Sequence, residues 1–292
     1  MEKAVPRVFR LSNKVLKAAK NIEPKFGYGA LSKIVYLRTY SRVRDYETGL
    51  REDWTDTVQR VTEGCMDMQY QHFEKNGIHW DSSQKSAEAL QLFQKINEFK
   101  MSPPGRGLWG MGGAAVRQKG LNASLNNCGF ISTFDMSKKV DENREPNPAY
   151  PFAYMVEMSM LGVGVGFDSL GGELNIPIHR PWHSKKNILI DDSREGWTES
   201  VRVLINSYLV PNQQTMVFDY SQLRPKGAPL KIFGGTSSGP APLAELHDTI
   251  RDVFNSNLEI TKRPTLTKRI ITDIMNLCGR CVVAGGIRRY VF

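Results

Sequence analysis

The sequence predicts an α/β fold with a mostly helical N-terminal region, residues 1–100, followed by a larger region, residues 101–292. Three observations support this prediction. Apolar side chains recur at helical spacing in the first region, and a Pro- and Gly-rich stretch then interrupts that pattern. After the interruption, short apolar runs alternate with helical stretches, which is typical of a mixed α/β core.

Two amphipathic helices are predicted in the N-terminal region. The first has one apolar stripe made of Trp54, Val58, Val61 and Cys65. A thiol on the buried side of a helix favours an inert structural role for Cys65. The second helix lies in SAEALQLFQKINEF and follows Asp81, a residue type that favours helix starts.

The larger region opens with MSPPGRGLWGMGG, whose prolines and glycines argue against a regular helix. We then predict a strand in NCGFIST, a helix in YPFAYMVEMSML and a strand in GVGVGF. A connection leads to DDSREGWTESVRVLINSYL, a helix in which Asp192 and Glu195 have capping-box spacing. A strand in TMVFDY, two further helices and a last strand in CVVAGG complete the predicted order.

Composition and charge limit the classes of function. A hydrophobic content of 40% indicates a globular protein, and no apolar run approaches the length of a membrane span. The N-terminus lacks the apolar segment of a secretory signal, so we expect a cytoplasmic protein. The net charge of +9 favours acidic partners, and the scattered basic residues favour small anions over nucleic acid. A nucleic-acid-binding module is an alternative that rests on this charge alone.

Four cysteines are too few for a secreted disulfide scaffold of this length. Cys278 and Cys281 have C-x-x-C spacing, but they fall at the end of a predicted helix and no second pair follows, so packing is favoured. Cys128 directly follows Asn126 and Asn127 at the start of a predicted strand. The residues alone leave open whether its thiol packs in the core or carries redox chemistry. Only His179 and His183 have a metal-ligand spacing, i and i+4, and Pro181 between them rules out a regular helix there, so we predict no metal site.

Two glycine-rich segments resemble nucleotide-binding motifs only in part. GVGVGF lacks the G-x-G-x-x-G spacing, and it is interpreted as a strand that another backbone or a ligand can approach closely. FGGTSSGPAPL has Pro240 and Ala241 where a P-loop needs Lys and Ser or Thr. This loop either offers free N–H groups to an anion at a helix start or is an ordinary connection.

Several segments together resemble one family, the monomeric adenosylcobalamin-dependent (class II) ribonucleoside-triphosphate reductases. They occur in the family order and extend from Ile34 to Arg289: VYLRTYSR, REDWTDTVQRVTEG, PPGRGLWGMG, LNNCGF, MLGVGVGF, DDSREGWTESVRVLI, LRPKGAPLKIFGGTSSGPAPL and VVAGGIRR. The resemblance implies that the larger region is the first part of a ten-stranded α/β barrel.

The resemblance also implies a reaction and its site. The family reduces ribonucleoside triphosphates to deoxyribonucleoside triphosphates, with a thiyl radical generated by adenosylcobalamin and with thioredoxin as the reductant. Two cysteines on neighbouring barrel strands supply electrons and become a disulfide. By resemblance Cys128 is the first of this pair, and Asn126, Asn127 and Arg106 are expected to bind the substrate.

The resemblance further implies a site for a deoxynucleoside triphosphate effector. We expect its contacts at Met155, Val156, Gly164, Gly166, Asp168, Arg194, Gly235, Thr236, Ser237 and Ser238.

After VVAGGIRR the sequence reads YVF, where the family continues with the radical-cysteine loop and the second reducing cysteine. The resemblance therefore predicts an incomplete reductase that is inactive alone, with most of the cobalamin surface outside it. A fragment, a split subunit that needs a complementary C-terminal chain, an interrupted gene product and a decayed gene remain open. The alternative function is that of a non-catalytic deoxynucleotide-binding remnant.

Overall fold

The computed structural model describes residues 9–27, 29–45, 47–230 and 236–283. The chain forms two compact units, Met1–Asn126 and Asn127–Phe292. The predicted boundary at residue 100 lies inside the first of these units. Within the described ranges, none of the helices has both the length and the apolar character needed to cross a membrane.

The first unit is helical, as predicted. Its helices are α1 (Asn13–Lys20), α2 (Gly29–Thr39), α3 (Trp54–Lys75), α4 (Ser82–Asn97), α5 (Gly105–Gly110) and α6 (Ala114–Arg117). Asp81 caps α4 by accepting hydrogen bonds from the backbone N–H groups of Ser83 and Gln84, which confirms the predicted start. Val58 from α3 and Phe93 from α4 are buried in the core of this unit.

The Pro- and Gly-rich segment forms short helices, although its composition argues against a regular helix. Pro104 stands just ahead of α5, a position at which its missing N–H costs nothing. Arg60 of α3 then holds the segment, because its Nη2 donates to the Leu108 carbonyl at 2.8 Å and its Nη1 to the Met111 carbonyl at 2.7 Å. The Nε of Arg60 also donates to the buried carboxylate of Glu52 at 2.7 Å.

Two glycines allow this segment to approach α3 closely. A Cβ added at Gly64, in the middle of α3, would lie 2.5 Å from the backbone nitrogen of Gly112. Gly112 itself has a φ of +67° and leaves no space for a side chain beside the Arg60 carbonyl. Both positions therefore require glycine. Gly64 is required by the close backbone contact, and Gly112 by a close contact and by its positive φ.

The second unit alternates strands and helices. Its elements are β1 (Cys128–Ile131), α7 (Tyr150–Met160), β2 (Gly164–Phe167), β3 (Trp182–Leu189), α8 (Arg194–Leu209), β4 (Gln214–Asp219), α9 (Ala241–Ile260) and α10 (Lys268–Val283). Strand β1 pairs in parallel with β2, and β3 pairs in parallel with β4. The mixed α/β prediction is confirmed, but the described residues form two two-stranded sheets and not the ten-stranded barrel.

Two strand predictions differ from the structure. Strand β3 lies in what the sequence suggested was a connection, because its exposed SKKN run hides the alternation that marks a half-buried strand. The last strand was predicted in CVVAGG. The prediction is wrong for the part of this segment that the structure describes, since Cys281, Val282 and Val283 belong to α10. The buried stripe of α10 extends at helical spacing through Ile274 and Cys278 to Cys281.

The start of α8 also differs from the predicted capping box. Ser193 is the N-cap, and its hydroxyl accepts a hydrogen bond from the Gly196 N–H at 3.0 Å. Asp192 instead accepts a hydrogen bond from Nε of Arg224 at 2.6 Å. The helix therefore begins one residue later than the Asp192–Glu195 spacing predicts.

A polar group lies inside the core of the second unit. His247 of α9 is fully buried, with Nε2 3.0 Å from Oγ of Ser200 and Nδ1 2.8 Å from the hydroxyl of Tyr220. Its ring stacks on Phe218 at a centroid distance of 4.2 Å. Burial, together with the positive charge of Arg251, lowers the pKa of His247 to about 3. A neutral histidine thus links α8, α9 and the residue that follows β4.

Candidate active site on the first strand pair

Alternate side chains of the short strand β1 face solvent. Gly129 and Ile131 face inward: Ile131 packs against the core, and a Cβ at Gly129 would lie 3.2 Å from Val163 and 3.3 Å from the hydroxyl of Tyr154. Cys128 and Phe130 therefore point to the opposite, outward face, where both are exposed. Glycine at position 129 lets the strand lie close to α7 while the thiol faces solvent.

The register of β2 places two glycines beside these outward side chains. Cys128 pairs with Gly164, and Phe130 pairs with Gly166. The inward residues of β2, Val165 and Phe167, pack against the core, so its glycines share the outward face with the thiol. The Gly164 N–H donates to the Asn127 carbonyl at 2.8 Å and fixes the start of the ladder. The structure thus brings two predicted effector residues next to the predicted redox cysteine.

The predicted substrate-binding residues are divided between the two units. Asn126 and Asn127 are exposed and directly precede the thiol, as the sequence requires. Arg106 belongs to α5 in the first unit, where its guanidinium carbon lies 5.7 Å from the centroid of the Trp109 ring. Burial lowers the pKa of Arg106 from its usual value. Its substrate role stays a prediction.

Cys128 differs from the other three cysteines in its surroundings. Cys278 and Cys281 are buried in the core, which confirms the packing role that the sequence favours for them. Burial raises the pKa of Cys281 to about 12 and also raises the pKa of the half-buried Cys65. The exposed thiol of Cys128 is accessible to a reagent, a substrate or a second thiol. This exposure argues against core packing among the described residues, and the redox role of Cys128 stays a prediction.

Met155 and Val156, predicted as effector contacts, lie on the buried side of α7. Val156 is 1% exposed and Met155 is 9% exposed, and both belong to the core of the second unit. The methyl carbon of Met155 lies 3.5 Å from where a Cβ at Gly279 would stand, so it fills the space above that glycine of α10. These two side chains contact the core instead of solvent.

Asp168 and Arg194, also predicted as effector contacts, take part in local interactions. The carboxylate of Asp168 accepts hydrogen bonds from the N–H and hydroxyl of Thr133 at 2.9 and 2.8 Å. Desolvation opposes its ionisation, but the hydrogen bonds outweigh desolvation and hold the pKa of Asp168 below its usual value. Arg194 forms ion pairs with Glu195 at 2.5 Å and Glu157 at 3.6 Å at the start of α8.

The Gly- and Ser-rich loop before α9 is held by its own backbone. The Ser237 N–H donates to the Ala228 carbonyl at 2.8 Å, and the Gly227 N–H donates to the Ser237 carbonyl at 2.9 Å. Thr236 and Ser238 flank Ser237 in this loop. Gly235, the fourth predicted effector contact of the segment, lies outside the described residues.

Phe130 was not recognised as a candidate functional residue from the sequence. The available signal was its position two residues after Cys128 on a predicted strand, which places both side chains on one face. An apolar residue in a strand is usually assigned to the core, and only the register with β2 shows that this face is open.

Two domain models of known proteins match separate parts of the chain. The ribonucleotide reductase alpha domain matches residues 11–113, and the insertion domain of B12-dependent ribonucleotide reductase matches residues 179–254. An adenosylcobalamin-dependent ribonucleoside-triphosphate reductase of Euglena gracilis is 41% identical over 96% of this chain. A probable reductase of the same description from Dictyostelium discoideum is 39% identical over the same share.

A solved structure has the same fold over almost the whole chain. The crystal structure of a B-12 dependent (class II) ribonucleotide reductase matches with a TM-score of 0.78 and 26% identity over 94% of this chain. The chain is related to the N-terminal part of the class II ribonucleotide reductases. It spans 37% of the length of the Euglena and Dictyostelium reductases and 43% of the reductase in the crystal structure. The recognition of a class II reductase from sequence segments is therefore confirmed.

Proposed function

We propose that this chain is the N-terminal part of an adenosylcobalamin-dependent ribonucleoside-triphosphate reductase and that Cys128 is one of its two reducing thiols. The observation that carries the proposal is the exposed thiol of Cys128 on the outward face of a parallel strand pair. A strand fixes a thiol more rigidly than a loop does, and an open face lets it meet a substrate and a second thiol.

The proposed reaction balances with the groups named. A ribonucleoside triphosphate loses its 2′-hydroxyl as water, and two thiols provide the two electrons and two hydrogens by forming one disulfide. Cys128 is one of these thiols, and the second comes from a neighbouring strand of the larger ten-stranded barrel. Thioredoxin returns the disulfide to two thiols. Asn126 and Asn127 carry amide groups next to Cys128 that can accept and donate hydrogen bonds to ribose hydroxyls.

Adenosylcobalamin supplies the radical chemistry of the proposed enzyme when bound. Among the described residues there is no cluster of three or more His, Cys, Asp or Glu side chains able to hold a metal ion. We propose, from the family resemblance, that most of the cofactor surface lies in the rest of the enzyme.

A deoxynucleoside triphosphate effector is also proposed, with contacts from Asp168, Arg194 and the loop of Thr236, Ser237 and Ser238, none of which is fully buried. Gly164 and Gly166 share the face of Cys128 and are assigned to the substrate side. The enzyme is proposed to work in the cytoplasm.

The test is to complement the chain with the missing part of the Euglena reductase, because that relative is 41% identical in the shared region. With adenosylcobalamin and a dithiol, the mixture should convert a ribonucleoside triphosphate to its deoxy form. Cys128→Ser should abolish repeated turnover, whereas the matched variant Cys65→Ser should retain it. Equal turnover in wild type and Cys128→Ser would refute the redox role. Deoxynucleotide binding without any turnover would instead favour the nucleotide-binding remnant.

A further inference from the structure

We propose that Phe130 is a substrate-binding residue whose ring stacks against the base of the nucleotide held at Cys128. This inference rests on the proposed function and adds to it a residue that positions the base. It begins from the outward face of β1 and β2, which presents the thiol of Cys128, the ring of Phe130 and the two glycines Gly164 and Gly166.

The ring of Phe130 lies beside a glycine and has much of its surface open. A Cβ at Gly166 would lie 3.4 Å from Cδ2 of Phe130, so one edge of the ring lies next to the bare backbone of β2. The residue is nevertheless 61% exposed. A glycine in a strand commonly marks a place where a ligand comes close, and here the absent side chain leaves room beside an aromatic surface.

The spacing along β1 matches the dimensions of a nucleoside. Residues two apart on a strand have Cα atoms about 6.6 Å apart and point to the same face. A nucleobase is bonded to the ribose carbon next to the one that loses its hydroxyl. A base bonded to a ribose held at Cys128 can therefore reach a side chain two residues along the strand on the same face.

The residues on either side of Cys128 indicate which way the nucleotide lies along β1. Asn126 and Asn127 precede the thiol with polar amides suited to hydroxyl or phosphate oxygens. Phe130 lies on the other side and offers an aromatic face, the usual partner of a base in proteins that bind unpaired nucleotides. The polar part of the nucleotide thus faces the asparagines, and its base faces Phe130.

Phe134 provides a matched control in the same segment. It is 63% exposed, almost the same as Phe130, and it is also a phenylalanine. It lies beyond the end of β1, where its backbone N–H donates to the hydroxyl of Ser132 at 3.1 Å. Loss of either ring removes the same apolar group from solvent, but only Phe130 shares the face of the thiol.

The experiment measures how a ribonucleoside triphosphate protects Cys128 from iodoacetamide. Each of ATP, GTP, CTP and UTP is titrated against the chain complemented with the remaining part of the Euglena reductase, and the Cys128 peptide is quantified by mass spectrometry. The rate with nucleotide is divided by the rate without it for each variant, which removes any change in intrinsic thiol reactivity. Circular dichroism confirms that each variant is folded.

Phe130→Leu should raise the nucleotide concentration for half-protection by about tenfold or more, as expected for loss of base stacking. Phe130→Tyr should retain wild-type protection, and so should Phe134→Leu. Gly166→Val, which fills the space beside the ring without removing it, should weaken protection as well.

The outcomes separate this inference from the proposed function. Protection in wild type that persists unchanged in both Phe130→Leu and Gly166→Val would overturn the stacking role and leave the reductase proposal intact. An equal loss in Phe134→Leu would also overturn it, because general surface apolarity would then explain the effect. Absence of protection by all four nucleotides in wild type would overturn the substrate contact at Cys128, and the stacking role with it.

Discussion

His247 should make the stability of the second unit depend on pH in a range where few other groups titrate. The folded protein holds this histidine neutral between Ser200 and Tyr220, with its pKa lowered from 6.5 to about 3. The unfolded chain binds a proton at its ordinary pKa, so below pH 6.5 the unfolded state binds more protons than the folded state. The contribution of neutral His247 to the free energy of unfolding is therefore fully present above pH 6.5 and is lost as the pH falls toward 3.

The magnitude follows from the size of the shift. One pKa unit corresponds to about 1.4 kcal/mol, so lowering the pH from 7 to 4.5 should reduce the free energy of unfolding by about 2.5 kcal/mol. This is a large part of the ~5–15 kcal/mol typical of a domain. Carboxylates with lowered pKa, such as Asp168 and Asp219, lose their contribution only below about pH 4, which leaves the interval from 6.5 to 4.5 to His247.

The assay is urea unfolding read by pulsed hydrogen-exchange mass spectrometry on peptides from α8 and α9, at pH 7, 6, 5 and 4.5. His247→Gln keeps a hydrogen-bonding side chain but does not titrate, and its unfolding free energy should be nearly independent of pH in this interval. The exposed His183→Gln serves as the matched control and should keep the wild-type slope. A wild-type slope that survives in His247→Gln would refute the reasoning, since another group would then carry it.

Three further predictions concern the backbone, the thiols and a helix cap. Gly112→Ala should destabilise the first unit by about 2–3 kcal/mol more than Gly77→Ala in thermal unfolding. Both glycines have positive φ, but only at Gly112 would a Cβ overlap a carbonyl, so equal losses would contradict the close contact. Iodoacetamide at pH 8 should label Cys128 well before Cys278, which should react only in urea, and peptide mapping decides the order. Ser193→Ala should lower the free energy of unfolding by about 1 kcal/mol, and Ser193→Asp should not, as measured in urea.

The local patterns of the sequence predicted most of the helices and three of the four strands. Asp81 at the start of α4 and the apolar stripe of α3 act within a few residues, so their consequences are readable along the chain. Strand β3 was missed because a parallel ladder supplies its hydrogen bonds from β4, and its exposed side chains carry no strand pattern of their own. The Asp192–Glu195 spacing predicted the right helix with the wrong cap, since Arg224 competes for Asp192 from a distant part of the sequence.

The candidate site was predicted as a residue but not as a surface. The segment LNNCGF pointed to Cys128, but the sequence does not show which residue of another strand lies beside it. The pairing with Gly164 depends on register, which tertiary packing of Val165 and Phe167 sets. For the same reason, the burial of Met155 and Val156 could not be separated from a ligand-facing position, because a helix rich in apolar residues has no clear polar side.

Both parallel strand pairs are closed by chain segments that are continuous in sequence, from β1 through α7 to β2 and from β3 through α8 to β4. The hydrogen bonds of each ladder therefore join strands that lie close together in the sequence. During translation, β1 and β2 can pair before α9 and α10 are made. The core against which Val165 and Phe167 pack includes both of these helices, so the register that sets Gly164 beside Cys128 becomes fixed only when they pack. Cys278 and Cys281 become protected at the same step.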